Sequence, residues 1–284
     1  MGYKDILVHL DAAPRSLTSL AVAADLARRF SAHLTGLAVV DLPPPDVFYG
    51  FPSAFMDVQR AEDMIERMRT VRVTELAAIE AAFRDRLRRD GIEGEWRCIE
   101  GVVDETVALH ARYADLVVIG QTDPNEKSSK ATAISARTLM TSGRPLLVLP
   151  FAGVFETIGR NVLVGWNGTG EAARAVGDAM PLLKAAAKVT VLAINPRHGI
   201  GGDGDVPAVD IALHLARHGV VAEAAHTIAR DISEADALLS YAADIGADLL
   251  VCGMYGHSVW RERTFGGVTR SLLTEMTVPV LMAH

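Results

Sequence analysis

The sequence holds only two cysteines in 284 residues, Cys98 and Cys252. Both sit in apolar, strand-like runs in different parts of the chain. They therefore read as buried free thiols in a reducing compartment rather than as a disulfide framework. Basic residues are also scarce relative to acidic ones, with 28 Lys and Arg against 35 Asp and Glu and a formal net charge of −7. Binding a phosphate backbone draws on a clustered positive surplus, so no nucleic-acid partner is expected. No apolar run approaches the roughly 20 residues that span a bilayer. The opening Met1-Gly2-Tyr3-Lys4-Asp5 lacks the cationic-then-apolar order of a secretion signal. The expectation is a cytoplasmic protein with no membrane partner.

Catalytic signatures are missing as well. No Walker A sequence and no CxxC occurs, and the single HxxxH spacing, His214 to His218, reads as a helix-face pair, so neither a P-loop nor a metal site is expected. The nine histidines are scattered, and His110, His214 and His218 fall at helix-face positions where a packed or solvated role is the ordinary one. No Cys–His or Ser–His–Asp set can be argued from position.

What the sequence does have is a repeat. Half of its residues are apolar and 22% are charged, an ordinary composition for a packed core, and the length suits two domains. Ile6-Leu7-Val8-His9-Leu10-Asp11 matches Val162-Leu163-Val164-Gly165-Trp166-Asn167. Each is followed by a turn, an Ala-rich helix (16–30 and 169–184) and a β run (33–40 and 188–194). Later, Asp115-Leu116-Val117-Val118-Ile119-Gly120 matches Asp248-Leu249-Leu250-Val251-Cys252-Gly253, and Pro145-Leu146-Leu147-Val148-Leu149 matches Pro279-Val280-Leu281-Met282-Ala283. An amphipathic helix precedes each Asp-led strand, at about 104–113 and 233–245. Near-continuous apolar strands alternating with helices predict a parallel sheet covered on both faces. The fold class is therefore α/β, as two tandem doubly wound domains of about five strands each. Their expected extents are 1–152 and 158–284.

The copies differ in their middles. The first inserts residues 41–94, opening on Leu42-Pro43-Pro44-Pro45 and passing Phe48, Tyr49, Phe51 and Phe55 before a long charged helix at about 56–89. The prolines make the aromatic part a loop, which either folds back on its own domain or meets a partner. The second copy has a glycine-rich turn at 199–205 and then a helix at about 207–218.

Ligands of open parallel sheets bind beyond the carboxyl ends of the strands, where the strand order reverses. In the second copy the fourth strand runs into Gly253-Met254-Tyr255-Gly256, then nine residues, then Gly266-Gly267-Val268-Thr269 opening a helix. Glycines allow the backbone close to an anion, and a helix amino end supplies free N–H donors. His257, Arg261, Arg263 and Arg270 add nearby positive charge. Trp166-Asn167-Gly168-Thr169, after the first strand, offers a short polar side chain to a ribose or base edge. Read without further context, Gly253 is equally a strand-end turn and Gly266-Gly267 a helix entry.

These residues give the chain a resemblance to the universal stress protein family in its tandem form. The pattern Gly253, two residues, Gly256, nine residues, Gly266, followed by Val268-Thr269, resembles that of the ATP-binding branch. The flanking Asp248-led and Thr277-Val278-Pro279-Val280-Leu281 strands add to the likeness. The resemblance implies that Gly253, Met254, Gly256, His257, Gly266, Gly267, Val268 and Thr269 wrap a triphosphate, with magnesium. Trp166, Asn167, Gly168 and Ile194 would then hold ribose and adenine. It also implies pairing through the last strands, 146–149 and 280–283, as a pseudo-dimer within one chain, with room for a further homodimer. Two positions depart from the family. Gly267 stands where Ser or Thr is usual, which removes a phosphate-binding hydroxyl, and Asn167 stands where Asp is usual.

The first copy lacks the second glycine, reading Gly120-Gln121-Thr122-Asp123-Pro124, and has Thr132 and Ala133 where the second has Gly266 and Gly267. One site per chain, for ATP or a related adenine nucleotide in the second copy, is expected, in a stress-response regulator or sensor. Two alternatives stay open: an interaction scaffold that engages an unidentified protein through 48–55, and a slow ATPase using His257, Arg261 and Arg263.

Overall fold

The computed structural model describes residues 2–42, 58–121, 138, 140–196, 208–254 and 267–284. Among them lie ten strands: β1 (Asp5–His9), β2 (His33–Val40), β3 (Gly94–Glu100), β4 (Leu116–Gly120), β5 (Leu146–Leu149), β6 (Asn161–Trp166), β7 (Lys188–Ile194), β8 (Ala222–Thr227), β9 (Leu249–Gly253) and β10 (Val280–Ala283). The helices described in full are α1 (Ser16–Phe30), α2 (Val58–Asp90), α3 (Val103–Ala111), α4 (Gly170–Ala185), α5 (Val209–Arg217), α6 (Glu234–Asp244) and α7 (Gly267–Glu275). The expected helices and strands fall within a few residues of these bounds, the usual uncertainty of an element end.

The strands form one sheet in the order β3-β2-β1-β4-β5-β10-β9-β6-β7-β8. Every neighbouring pair is parallel except β5 with β10, which is antiparallel. Each half therefore has the order 3-2-1-4-5, and the halves meet through their last strands. The register there is Val280 on Val148, Leu281 on Leu147 and Met282 on Leu146. Since Pro145 aligns with Pro279 in the repeat, Leu147 and Leu281 are equivalent and face each other. The joint is self-complementary about that pair, the logic of a two-fold interface written into one chain.

The periodicity of the strands explains the two cores. Alternate residues of β1, Ile6 and Val8 against Leu7, enter opposite clusters. One cluster packs the sheet against α1, α2, α4 and α5, and the other against α3, α6 and α7. Both clusters run through both halves. Local signals start and stop the helices. Ser233 and Asp236 form a reciprocal capping box on α6, and Thr169 caps α4 by accepting the Ala172 N–H.

The two Asp-led strands have a structural explanation. Asp248 accepts N–H bonds from Gly159, Arg160 and Asn161 at 2.9–3.1 Å and takes the Thr157 hydroxyl at 3.3 Å, pinning the chain where it enters β6. Asp115 does the same for β1 through the N–H groups of Lys4 and Asp5.

One expectation needs correcting. Cys252 is buried, and burial pushes its thiol up to about 12, but Cys98 is exposed. It lies on β3, an edge strand with one covered side. Partial burial and the nearby Glu80 still raise its pKa. The aromatic segment 48–55 and the turn at 199–205 lie outside the described residues.

Candidate functional site

In each half the chain leaves the sheet toward opposite faces at one place: between β1 and β4, and between β6 and β9. These two crevices are the positions where an open α/β sheet takes ligands, and they differ.

In the C-terminal half Gly165 lies beside Cys252 in the β6–β9 register, so Trp166 and Asn167 emerge next to Gly253 and Met254. Trp166 is half-buried against the core, and Asn167 and Gly168 are exposed. Gly168 has φ +71°, a left-handed turn that suits glycine. Asn167 Oδ1 accepts the Thr169 N–H at 3.2 Å and its hydroxyl at 2.8 Å, folding the loop into an Asx turn that delivers Thr169 as the cap of α4. Ile194 ends β7 on the far side of β6, half-buried, and the next residue, Asn195, is held at φ +48° with its Oδ1 on the Ala229 N–H.

Gly253 is where α4 meets the sheet. A Cβ built there would lie 2.3 Å from the Ala172 nitrogen and 2.4 Å from the Glu171 carbonyl carbon. The first turn of α4 is thus laid backbone-to-backbone on the end of β9, and any larger residue would push it off. Of the two readings of Gly253, the structure gives a packing reason for this glycine that is independent of any ligand. Met254 is buried, with its sulfur 4.0 Å from Cys252 Sγ and its N–H on the Ala283 carbonyl. Only its backbone borders the crevice. Gly267 begins α7, Val268 is exposed and Thr269 is buried. Gly256, His257 and Gly266, with Arg261 and Arg263, lie outside the described residues. One carboxylate oxygen of Glu171 is buried and has no hydrogen-bond partner.

In the N-terminal half the described side of the same crevice carries charged and polar side chains bonded to one another. Asp11 Oδ1 accepts the Ser16 hydroxyl at 2.5 Å and the Ala13 N–H at 3.0 Å, and Oδ2 lies 3.5 Å from Arg15. Ser16 in turn accepts the Asp11 N–H at 2.9 Å. Burial acts to raise the Asp11 pKa, but the Ser16 bond, His9, Arg15 and the Ala13 N–H outweigh it and hold the carboxyl below its ordinary value. His9 stands where the second half has Gly165. Burial lowers its pKa, opposed by Asp11 and reinforced by Arg15. At Gly120 a built Cβ would meet only side chains, Ser19 Oγ at 3.2 Å and Arg15 Cζ at 3.6 Å.

Sequence reasoning also passed over Gln121, which follows β4 as Met254 follows β9. It is buried, and its amide bonds across the joint between the halves. The repeat alignment that pairs Gln121 with Met254 was the available signal. His110 meets Arg97 at 3.0 Å, and the rings of His214 and His218 lie 4.7 Å apart, tilted by 55°. Among the described residues no group of three or more His, Cys, Asp or Glu side chains could hold a metal, and no helix is long and apolar enough to cross a membrane.

Known proteins resemble this geometry. Residues 159–284 match the model of the universal stress protein family. A universal stress protein from Archaeoglobus fulgidus DSM 4304 superposes over 98% of this chain and 95% of its own, with 16% identity and a TM-score of 0.70. A functionally unknown protein from Pseudomonas aeruginosa PAO1 covers 99% of this chain and 92% of its own, with 13% identity and a TM-score of 0.59. No curated protein matches the chain. At these identities the likeness is one of fold, and it extends over both halves. Residues 159–284 belong to the universal stress protein family, and the residues before them repeat the fold.

Proposed function

We propose that the C-terminal crevice binds an adenine nucleotide, ATP with magnesium, and that the chain is a cytoplasmic stress-response regulator read out through occupancy of that site. The observation that carries this reading is the difference between the two crevices. In the first, Asp11, Arg15 and Ser16 are bonded to one another. The second has exposed Asn167 and Gly168 facing the carboxyl end of β9, with the amino end of α4 seated on Gly253. Helix amino ends and glycine backbones are the ordinary materials of a phosphate site. Trp166 and Ile194 offer apolar walls for a base, and Gly256, His257, Gly266, Gly267, Val268 and Thr269 are the residues assigned to the phosphates. The N-terminal half would act as a structural partner.

The experiment is mass spectrometry of small molecules released from the purified protein, with calorimetry of ATP and magnesium. About one adenine nucleotide per chain, lost in Gly266→Asp and kept in Thr132→Asp, is the expected result, because like-charge repulsion acts only where phosphate sits. Equal losses in both variants would sink the one-site reading. A scaffold reading draws on exposed Met64, Val71 and Val73 along the outer part of α2. It is the reading left standing if millimolar ATP gives no heat. Steady ADP release lost in Gly266→Asp would instead make the protein a slow ATPase.

A further inference from the structure

Gln121, a side chain of the N-terminal half, bonds the carboxyl end of α7. It is 9% exposed, and every arm of its amide is used. Nε2 donates to the Leu273 carbonyl at 2.7 Å and the Thr274 carbonyl at 3.1 Å, in the last turn of α7. Oε1 accepts the N–H of Phe151 at 2.8 Å, the residue at which the chain leaves β5 for the second half. Its own N–H bonds the Leu149 carbonyl at 2.7 Å. Terminal carbonyls of a helix need outside partners, and for α7 two of them are met from the other half of the molecule.

The equivalent position in the second half is Met254, an apolar side chain with no amide to offer. That tie has no counterpart through Met254, although Arg174 of the second half donates to the Gly143 carbonyl of the first at 3.1 Å. The N-terminal half holds the helix whose amino end borders the C-terminal crevice.

We propose that Gln121 couples the C-terminal crevice to the linker and to the end of β4, so that ligand at the amino end of α7 is registered at Phe151. A nine-residue helix is about 13 Å long and moves as a rigid rod. A ligand that braces its amino end braces Leu273 and Thr274 as well. Gln121 passes that restraint to Phe151 and so to the segment leading into β6, whose carboxyl end carries Trp166 and Asn167 on the opposite wall of the crevice. The two walls are thus linked by a route outside the crevice itself. Gln121 acts as a positioning residue and touches no ligand. The inference rests on the nucleotide reading for the identity of that ligand.

The test is hydrogen exchange of the whole chain with and without ATP and magnesium, following peptides over 117–121 and 149–155. It uses the wild type, Gln121→Met and Gln121→Glu, with calorimetry on each. Gln121→Glu keeps an acceptor for Phe151 and leaves at most one donor for the two α7 carbonyls, whereas Gln121→Met removes all three bonds and copies the second half. The expected result is a slowing of about threefold or more in both wild-type peptides on adding ATP. In both variants that slowing is absent while ATP heat remains. Persistence of the slowing in the variants overturns the coupling. If one variant fails to fold, the other decides, and the wild type alone decides against the coupling if it binds ATP without any change at 149–155. Absence of ATP heat in the wild type overturns the nucleotide reading and the coupling with it.

Discussion

The first half of the chain and the second share strand order, parallel pairing and the antiparallel edge through which they join, yet their crevices are built from opposite materials. In the first, Asp11 bonds Ser16 and pairs with Arg15, beside His9, which feels both charges. In the second, the equivalents of His9 and Asp11 are Gly165 and Asn167. The polar group of Asn167 shapes its own turn, and a helix backbone lies directly on the strand end. A duplicated domain can thus keep its architecture while the two copies carry different side chains at the same crevice. The fold is indifferent to that difference, because the sheet and its two apolar clusters are made elsewhere.

The sharpest way to break this comparison is at the glycine ending the fourth strand of each half. Gly253→Ala places a methyl group 2.3 Å from a backbone nitrogen, and a helix backbone cannot yield as a side-chain tip can. The expected loss is about 3 kcal/mol or more, the upper range for overpacking. Gly120→Ala meets Ser19 Oγ at 3.2 Å and Arg15 Cζ at 3.6 Å, and both can rotate away at a cost of about 1 kcal/mol or less. Denaturant melts of the two variants measure the contrast. Similar losses would mean that the first turns of α1 and α4 approach their sheets alike.

A smaller difference is expected at the aspartates that open those strands. Asp248 serves three backbone N–H groups and a hydroxyl, while Asp115 serves two N–H groups. Both are half-buried, so solvent replaces part of what is lost. On roughly 1 kcal/mol net per bond under those conditions, Asp248→Ala should cost about 4 kcal/mol and Asp115→Ala about 2 kcal/mol. The same melts rank them. The reverse order would show that the tie at the linker is weaker than the tie at the chain's start.

These aspartates also show what the sequence could and could not disclose. Their recurrence ahead of two apolar runs was visible as a repeat, and the central strands were legible because burial on both faces demands continuous apolar residues. The edge strands β3 and β8 were not marked out, since Glu95, Arg97, Glu223 and His226 interrupt their apolar character where one side faces water. Cys98 was misplaced for the same reason. The candidate site was half legible. The glycine spacing stood out, but spacing carries no information on whether a glycine serves a ligand or a helix, and only the distance from Gly253 to Ala172 supplies the second reason. Gln121 had no local signature, because its partners Leu273 and Thr274 are backbone carbonyls about 150 residues away.

The gentlest test of the two-crevice comparison is pH. His9 has an ordinary value of 6.5 in the unfolded chain and a lower one in the folded protein, with burial the largest cause. The unfolded state therefore takes up the proton first as pH falls. The sign follows from linkage: stability is unaffected above about pH 6.5 and decreases below it, by at most about 1.4 kcal/mol per pH unit for one proton. The depressed Asp11 carboxyl contributes only further down, losing its stabilisation below its ordinary 3.8. Replacing His9 with Gln, a neutral side chain of similar reach, should flatten the unfolding midpoint between pH 7.5 and pH 5.5 relative to wild type. The second half has Gly165 at the equivalent position and no titrating group there, so peptides ending β1 should lose exchange protection on acidification before those ending β6. If the β6 peptides open first, or the His9→Gln slope equals that of the wild type, the proton is being taken up elsewhere and the first crevice is not the acid-sensitive part of the molecule.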